Sequence, residues 1–242
     1  MTTDNTSNTS ESINPSYLKL IRTAVHDLKN PLTVALGNMQ LLQMRTQSIE
    51  ENNKVLISNA IEAIYQQLGI LDNIADSVKI LDGTLVCFED SVDIDEILES
   101  EIEKYQNLEP KREYQFNRSD NSVKAFVDKR LVTRALSNIL EHVKFNTYDG
   151  SIILINSRID LQNKQAVIEI KDDGELLLSE NYKSIFEMLS NINLYRKNGR
   201  WDNGNLLCFA NRIIHFMKGD IVAVDSGQTG AAFVITLPLV KD

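Results

Sequence analysis

The sequence is short of the features that mark several large functional classes. It has two cysteines in 242 residues, Cys87 and Cys208, far apart and without metal-ligand spacing. Neither a disulfide framework nor a cysteine-ligated metal is therefore expected, and both read as buried thiols. Long apolar runs are missing: the longest are short, such as Ile152 to Ile155, against the ~20 residues of a membrane span. A basic segment is also missing. Residues 1–14 carry two acidic and no basic residues, residues 15–85 seven acidic against six basic, and residues 86–242 25 acidic against 19 basic, for a net charge of −9. That balance argues against a nucleic-acid backbone as partner and against a polybasic membrane anchor. The N-terminus, MTTDNTSNTSESINPS, has neither the charged start nor the apolar stretch of a signal peptide. A cytoplasmic, soluble protein with a disordered tail over 1–14 is expected.

What is present folds. Hydrophobic residues make up 43% and charged residues 24%, ordinary globular values. Asn14-Pro15 suits a helix start. Apolar residues then recur at Leu18, Ile21, Val25, Leu28, Leu32, Leu36, Met39 and Leu42, in steps of three and four, the helical period. Pro31 should bend this helix just after the turn that carries His26. After a polar break from Arg45 to Asn53, Ile57, Ile61, Ile64, Leu68, Leu71, Ala75 and Val78 form a four-three repeat that Asp82-Gly83 stops. Two helices with one apolar face each cannot close a core, so the pair over residues 15–85 is expected to dimerise into a four-helix bundle.

Beyond Gly83 the period changes. Strands are expected at Thr84–Phe88, Tyr114–Phe116, Lys124–Val127, Ser151–Ile159, Ala166–Lys171, Asp220–Val224 and Ala231–Leu237. Helices are expected at Val92–Gln106, opened by Asp93, Asp95 and Glu96, at Asp128–Val143, and at Asn205–Met217, ended by Lys218-Gly219. Strands and helices are segregated, which predicts an α+β fold: an α/β sandwich domain with a mixed sheet over residues 86–242.

The chemistry concentrates in Val25-His26-Asp27-Leu28-Lys29-Asn30-Pro31-Leu32-Thr33. A histidine accepts a phosphoryl group through a neutral, exposed ring nitrogen, and a neighbouring carboxylate can hold the ring proton or take it during attack. Asp27 leaves the helix about 100° round from His26 and so reaches the ring without burying it. Lys29 can balance phosphoryl charge. This stretch resembles the H-box of sensor histidine kinases: His, an acidic residue, Leu, Lys or Arg, a small polar residue, Pro, Leu and a small polar residue. All eight positions match. The resemblance implies His26 as phosphoacceptor, Asp27 as its acid/base neighbour, and Asn30 as the residue that orients a water for dephosphorylating a response regulator.

The remainder resembles the ATP-binding domain of the same family. In Arg134-Ala135-Leu136-Ser137-Asn138-Ile139-Leu140-Glu141-His142-Val143-Lys144, Asn138 stands at the Mg2+-binding Asn, His142 replaces the second Asn, and Phe145 falls at the usual Lys, with Lys144 next door. In Ile170-Lys171-Asp172-Asp173-Gly174-Glu175-Leu176, Asp172 matches the Asp that reads the adenine amine and Gly174 the first loop glycine, while Leu176 replaces the second. Ser184–Met188 resembles the Phe-containing box, with Phe186 read as core. The lid segment from Leu189 to Trp201 holds Arg196, Lys197 and Arg200. In the last loop, Gly204 survives, and Asp202 and Leu206 take the places of two glycines; a carboxylate there repels phosphate from a helix N-terminus.

The family implies ATP and Mg2+ as cofactors, with Asn138, Asp172, Gly174 and Gly204 as the nucleotide contacts. The lost glycines make a partner protein as good a phosphate source as ATP. Three functions follow: a phosphorelay protein that exchanges phosphate between His26 and receiver aspartates of response regulators, with a separate sensor or kinase upstream; an ATP-dependent soluble kinase that phosphorylates His26; and a docking module for response regulators in which no phosphate moves.

Overall fold

The computed structural model describes residues 15–45, 51–119, 121–187 and 205–239. Expectations for the tail 1–14, the lid 189–201, Met188, Asp202 and Gly204 lie outside the described residues. The chain divides into two compact units, residues 1–85 and 86–242.

The first unit is a helical hairpin of α1 (Pro15–Arg45) and α2 (Glu51–Leu81). Helix α1 runs through Pro31. Proline has no N–H to give, so the carbonyl of Asp27, four residues earlier, loses its helical donor. Polar cross-links set the antiparallel register: Arg22 pairs with Asp82 and donates to Thr84 Oγ1 at 2.8 Å, Lys29 pairs with Asp72, and Gln40 donates to the Tyr65 hydroxyl at 2.9 Å. At the end of α2, Gly83 takes φ +69°, and the N–H groups of Thr84 and Leu85 both reach the Lys79 carbonyl, at 2.9 and 3.0 Å. This left-handed cap needs glycine. The hairpin buries Leu18, Val25, Leu71 and Val78, yet Leu28 and Leu42, on the same α1 stripe, remain 55% and 46% exposed.

The second unit carries a five-stranded mixed sheet, ordered Glu113–Asn117, Ile152–Asp160, Gln165–Asp172, Ala232–Pro238 and Asp220–Val224, and a separate ladder of Asp90–Asp93 with Lys124–Val127. In chain order its elements are β1 (Asp90–Asp93), α3 (Ile94–Leu108), β2 (Glu113–Asn117), β3 (Lys124–Val127), α4 (Lys129–Asn146), β4 (Ile152–Asp160), β5 (Gln165–Asp172), α5 (Leu206–Phe216), β6 (Asp220–Val224) and β7 (Ala232–Pro238). Strand β2 pairs with β4 in parallel, and every other pairing is antiparallel. The core is built from Leu131, Ala135, Leu136, Ile139, Leu140 and Val143 on α4, Ile213 and Ile214 on α5, and Ile153, Ile155, Ile168, Ile170, Phe233 and Ile235 on the sheet. Aspartates start two of the helices. Asp93 accepts from the N–H groups of Asp95 and Glu96 at 3.0 and 3.3 Å, and Asp128 from those of Arg130 and Leu131 at 2.9 and 3.2 Å.

The α+β architecture agrees with the sequence expectation, with two local corrections. Residues 84–89 form no strand; the strand is Asp90–Asp93. The N–H groups of Thr84 and Leu85 are consumed by the cap of α2, that of Phe88 goes to the Asp128 carboxylate at 3.0 Å, and the four residues of β3 pair with 90–93. For the same reason α3 starts at Ile94 rather than Val92: Val92 belongs to the ladder and Asp93 is the cap.

Candidate functional site

In the hairpin, His26 projects from the exposed side of α1, its side chain 73% accessible. Val25 beside it is buried, so the helix is anchored while the imidazole meets solvent. His26 Nδ1 lies 3.2 Å from Asp27 Oδ1. A carboxylate only accepts, so in the neutral ring Nδ1 carries the proton and Nε2 keeps its lone pair. An exposed imidazole with its nucleophilic nitrogen presented to solvent is the state needed to attack phosphorus.

Asn30, one turn further along α1, is also exposed. Lys29 is not waiting for phosphate: its ammonium is paired with Asp72 of α2, both side chains about one-third exposed. Asp72 was not singled out from the sequence. Its place in α2, opposite the His26 turn once the helices run antiparallel, is the only signal that marks it.

In the second unit, Asn138, His142 and Asn146 recur every four residues and so share one face of α4. Asn138 and His142 are buried, at 7% and 6% exposure. This stripe passes the loop after β5. Its reference point is Asp172, the last residue of that strand and 2% exposed. Asp172 Oδ1 accepts from the Gly174 N–H at 2.9 Å, while Oδ2 is buried with no partner among the described residues. Burial pushes the Asp172 carboxyl up to about 6, against the pull of the Gly174 N–H and of nearby His142. An unsatisfied buried acceptor costs ~1–3 kcal/mol. A ligand N–H that reached Oδ2 would remove that penalty.

The glycines of this loop serve the protein's own packing. A Cβ on Gly174 would lie 2.0 Å from the Asn146 carbonyl oxygen, and one on Gly230, at φ +71°, would lie 1.9 Å from the Asp172 carbonyl oxygen. Gly174 therefore lets the loop close onto the end of α4. Gly230 donates to the Gly174 carbonyl at 3.0 Å and holds the loop from its other side. Gly230 was not identified from the sequence; a glycine before an apolar strand is an ordinary pattern. Leu176 is 43% exposed, and its φ is not positive, so the backbone has settled into a conformation any residue adopts.

His142 occupies the second polar position of the stripe. Its ring meets Phe233 edge-on, with centroids 5.7 Å apart, and Phe186 meets the same Phe233 at 6.4 Å. Phe186, read from the sequence as core, is half-buried against Phe233, and its neighbour Ile185 is the buried residue of that segment. Lys144 is turned away. It is buried between Glu141 and Glu109, at 3.3 and 3.7 Å, and does not replace the basic residue that the sequence has lost at Phe145. Leu206 is buried at the start of α5. A cavity of about 530 Å³, lined by residues that include Phe88, Asp93, Lys124, Asp128 and Arg130, contains none of the predicted site residues. Among the described residues no His/Cys/Asp/Glu cluster could hold a metal, and no helix is long and apolar enough to cross a membrane.

Comparison with known proteins finds a family match for the hairpin and relatives that span both units. Residues 17–83 match the His Kinase A (phospho-acceptor) domain. The chain is 23% identical over 236 residues to sensor protein EvgS of Escherichia coli O157:H7, covering 95% of this chain and 20% of that protein. It is 22% identical over 220 residues to sensor protein KdpD of Clostridium acetobutylicum, covering 90% and 24%. With the signal transduction histidine-protein kinase ArlS of Staphylococcus epidermidis the identity is 22% over 230 residues, covering 92% and 48%. The chain thus spans between a fifth and a half of the length of these curated relatives. Among solved structures, full-length ShkA in complex with AMPPNP superposes with a TM-score of 0.70 at 17% identity, over 93% of this chain and 46% of that one. Acinetobacter baumannii histidine kinase AdeS does so with 0.60 at 16%, over 89% and 98%. These structural matches establish the shared fold.

Proposed function

The chain belongs to the two-component sensor histidine kinase family, and from that premise we propose that it is a phosphorelay protein carrying a phosphoryl group on His26 and exchanging it with response-regulator receiver aspartates. The observation that carries this reading is the His26–Asp27 pair: an exposed ring whose Nδ1–H is held by the adjacent carboxylate at 3.2 Å, leaving Nε2 as nucleophile. In the forward step the P–O bond of a receiver aspartyl phosphate breaks as the N–P bond to Nε2 forms. The aspartate leaves with the electron pair, and the Nδ1 proton stays against Asp27, which stabilises the charge that develops on the ring. The reverse step returns the phosphate from Nε2 to a receiver aspartate, and in a separate hydrolytic reaction Asn30 would orient a water that attacks the phosphorus of the receiver's aspartyl phosphate. Lys29 reaches the phosphoryl group by exchanging Asp72 for it.

The working form is a homodimer. Leu28, Leu42, Val34 and Leu41 leave large apolar surfaces open on α1, and a second hairpin covers such faces in a four-helix bundle. Both cysteines are free thiols, which suits the reducing cytoplasm. Incubation with a phosphorylated receiver protein tests the reading. Wild-type chain takes the phosphate and His26→Ala does not. Absence of both transfer and accelerated dephosphorylation leaves a docking module.

One observation favours a second reading, ATP-dependent phosphorylation of His26. The Oδ2 of buried Asp172, without a partner among the described residues, is the acceptor an adenine amine would need, and full-length ShkA, which shares the fold, was solved with AMPPNP. On this reading Asp172 and Gly174 would hold the base side of ATP and Gly204 its phosphate side, and the reading requires Asn138 to offer its amide oxygen to the Mg2+ that neutralises the phosphates. Labelled ATP and Mg2+ with the purified chain decide it: label on His26 supports an autokinase, and none leaves a partner protein as the donor.

A further inference from the structure

We infer that an adenine nucleotide bound at Asp172 is held without Mg2+, because His142 has removed the metal-binding capacity of α4. The inference rests on the reading that Asp172 holds a nucleotide, and it concerns only how.

The argument starts from the Asn146 amide. Its Nδ2 lies 2.7 Å from the His142 carbonyl oxygen and 2.9 Å from His142 Nε2. A carbonyl only accepts, so the group facing it is the NH2 and not the amide oxygen. The second amide proton then points at Nε2, which must be the unprotonated nitrogen. A neutral imidazole has one lone pair in its plane, and here that pair is given to Asn146. Nδ1 carries the proton and has nothing to donate to a cation.

The ring cannot readily turn to change this. It is 6% exposed and packed edge-on against Phe233, which is fully buried. Nitrogen is in any case a poor partner for Mg2+, which takes oxygen ligands in near-ideal octahedral geometry. The other polar position of the stripe, Asn138, offers at most one neutral amide oxygen and is itself buried and already engaged. Lys144, the cation nearest in sequence, is committed to Glu141 and Glu109.

The base-reading half of the site is kept in the same structure: Asp172 has an oxygen without a partner among the described residues, and Gly174 and Gly230 keep the loop closed. The two halves have separated. What remains recognises a nucleoside and has lost the means to bridge its phosphates to a metal. Phosphoryl transfer from ATP relies on metal ions to neutralise the developing charge. The ligand therefore acts as an occupant that steadies the fold and not as the phosphate donor, in keeping with a relay.

Calorimetry on the full chain tests this, with ADP and with a non-hydrolysable ATP analogue, each in excess MgCl2 and in excess EDTA. The wild-type affinities are expected to differ by less than about fivefold between the two conditions. In His142→Asn, which restores an oxygen donor, Mg2+ is expected to tighten binding by about fivefold or more. Wild-type binding that strengthens fivefold or more with Mg2+ overturns the inference and leaves the nucleotide reading standing. Binding by His142→Asn that remains indifferent to Mg2+ overturns the role given to His142. No binding under either condition removes the nucleotide reading, and the inference with it.

Discussion

Asp172→Asn should make the second unit more stable at neutral and alkaline pH. The wild-type carboxyl is buried, has one oxygen without a partner among the described residues, and is pushed by burial from its ordinary 3.8 up to about 6. The folded state thus holds the proton more tightly than the unfolded chain does. The stabilisation linked to that proton is complete below the unfolded value of 3.8 and is lost as pH rises through about 6. The full shift corresponds to ~3 kcal/mol, and burial leaves little solvent to screen it. Asparagine keeps an oxygen for the Gly174 N–H and never ionises. The stability gap between variant and wild type is therefore expected to grow by ~2 kcal/mol between pH 4 and pH 8, in favour of the variant. Urea unfolding followed by circular dichroism at several pH values measures it, because the other titrating groups cancel in the difference. A gap that stays flat with pH, or a variant less stable at pH 8, would refute the reasoning. The same variant should lose nucleotide binding, and wild-type binding should strengthen as pH rises through about 6, since a donor on the ligand needs the ionised carboxylate.

Three further outcomes follow from the geometry. Asp27→Asn, which frees the His26 ring to change tautomer, should slow phosphate uptake by His26 ~10²–10⁴-fold in rapid-quench assays without altering the helical content. Gly230→Ala places a methyl group 1.9 Å from the Asp172 carbonyl oxygen at a positive φ and should destabilise the second unit by ~1–3 kcal/mol or more in urea melts. Leu42→Glu, at a position 46% exposed in the single chain, should weaken self-association by ~1.5–3 kcal/mol in sedimentation equilibrium if a second hairpin covers it; an unchanged dimer would place the interface elsewhere.

His26 and His142 differ in how much of their setting the sequence displays. His26 was legible because its helix is amphipathic, its neighbour is acidic, and exposure follows from the period. The helices opened by Asp93 and Asp128 were legible because acidic residues at a helix start are a local pattern, although the first begins two residues later than expected, with Asp93 as its cap. The expected strand at Thr84–Phe88 failed because its backbone donors are claimed by Lys79 and Asp128, a competition settled only in three dimensions. Gly174 was read from the sequence as a nucleotide-loop glycine, and the demand visible in the structure is the carbonyl of Asn146 across the loop. His142 could be seen as a replacement. That its lone pair is consumed by Asn146 required the distances.

The central claim is that Nε2 of His26 carries the phosphate. Its most direct test is phosphorus NMR of the chain after exposure to a phosphorylated receiver, which distinguishes phosphate on Nε2 from phosphate on Nδ1. The account predicts a single phosphohistidine signal of the Nε2 isomer, absent from His26→Ala. A phosphohistidine on Nδ1, or no phosphohistidine while the receiver keeps its phosphate, would contradict it.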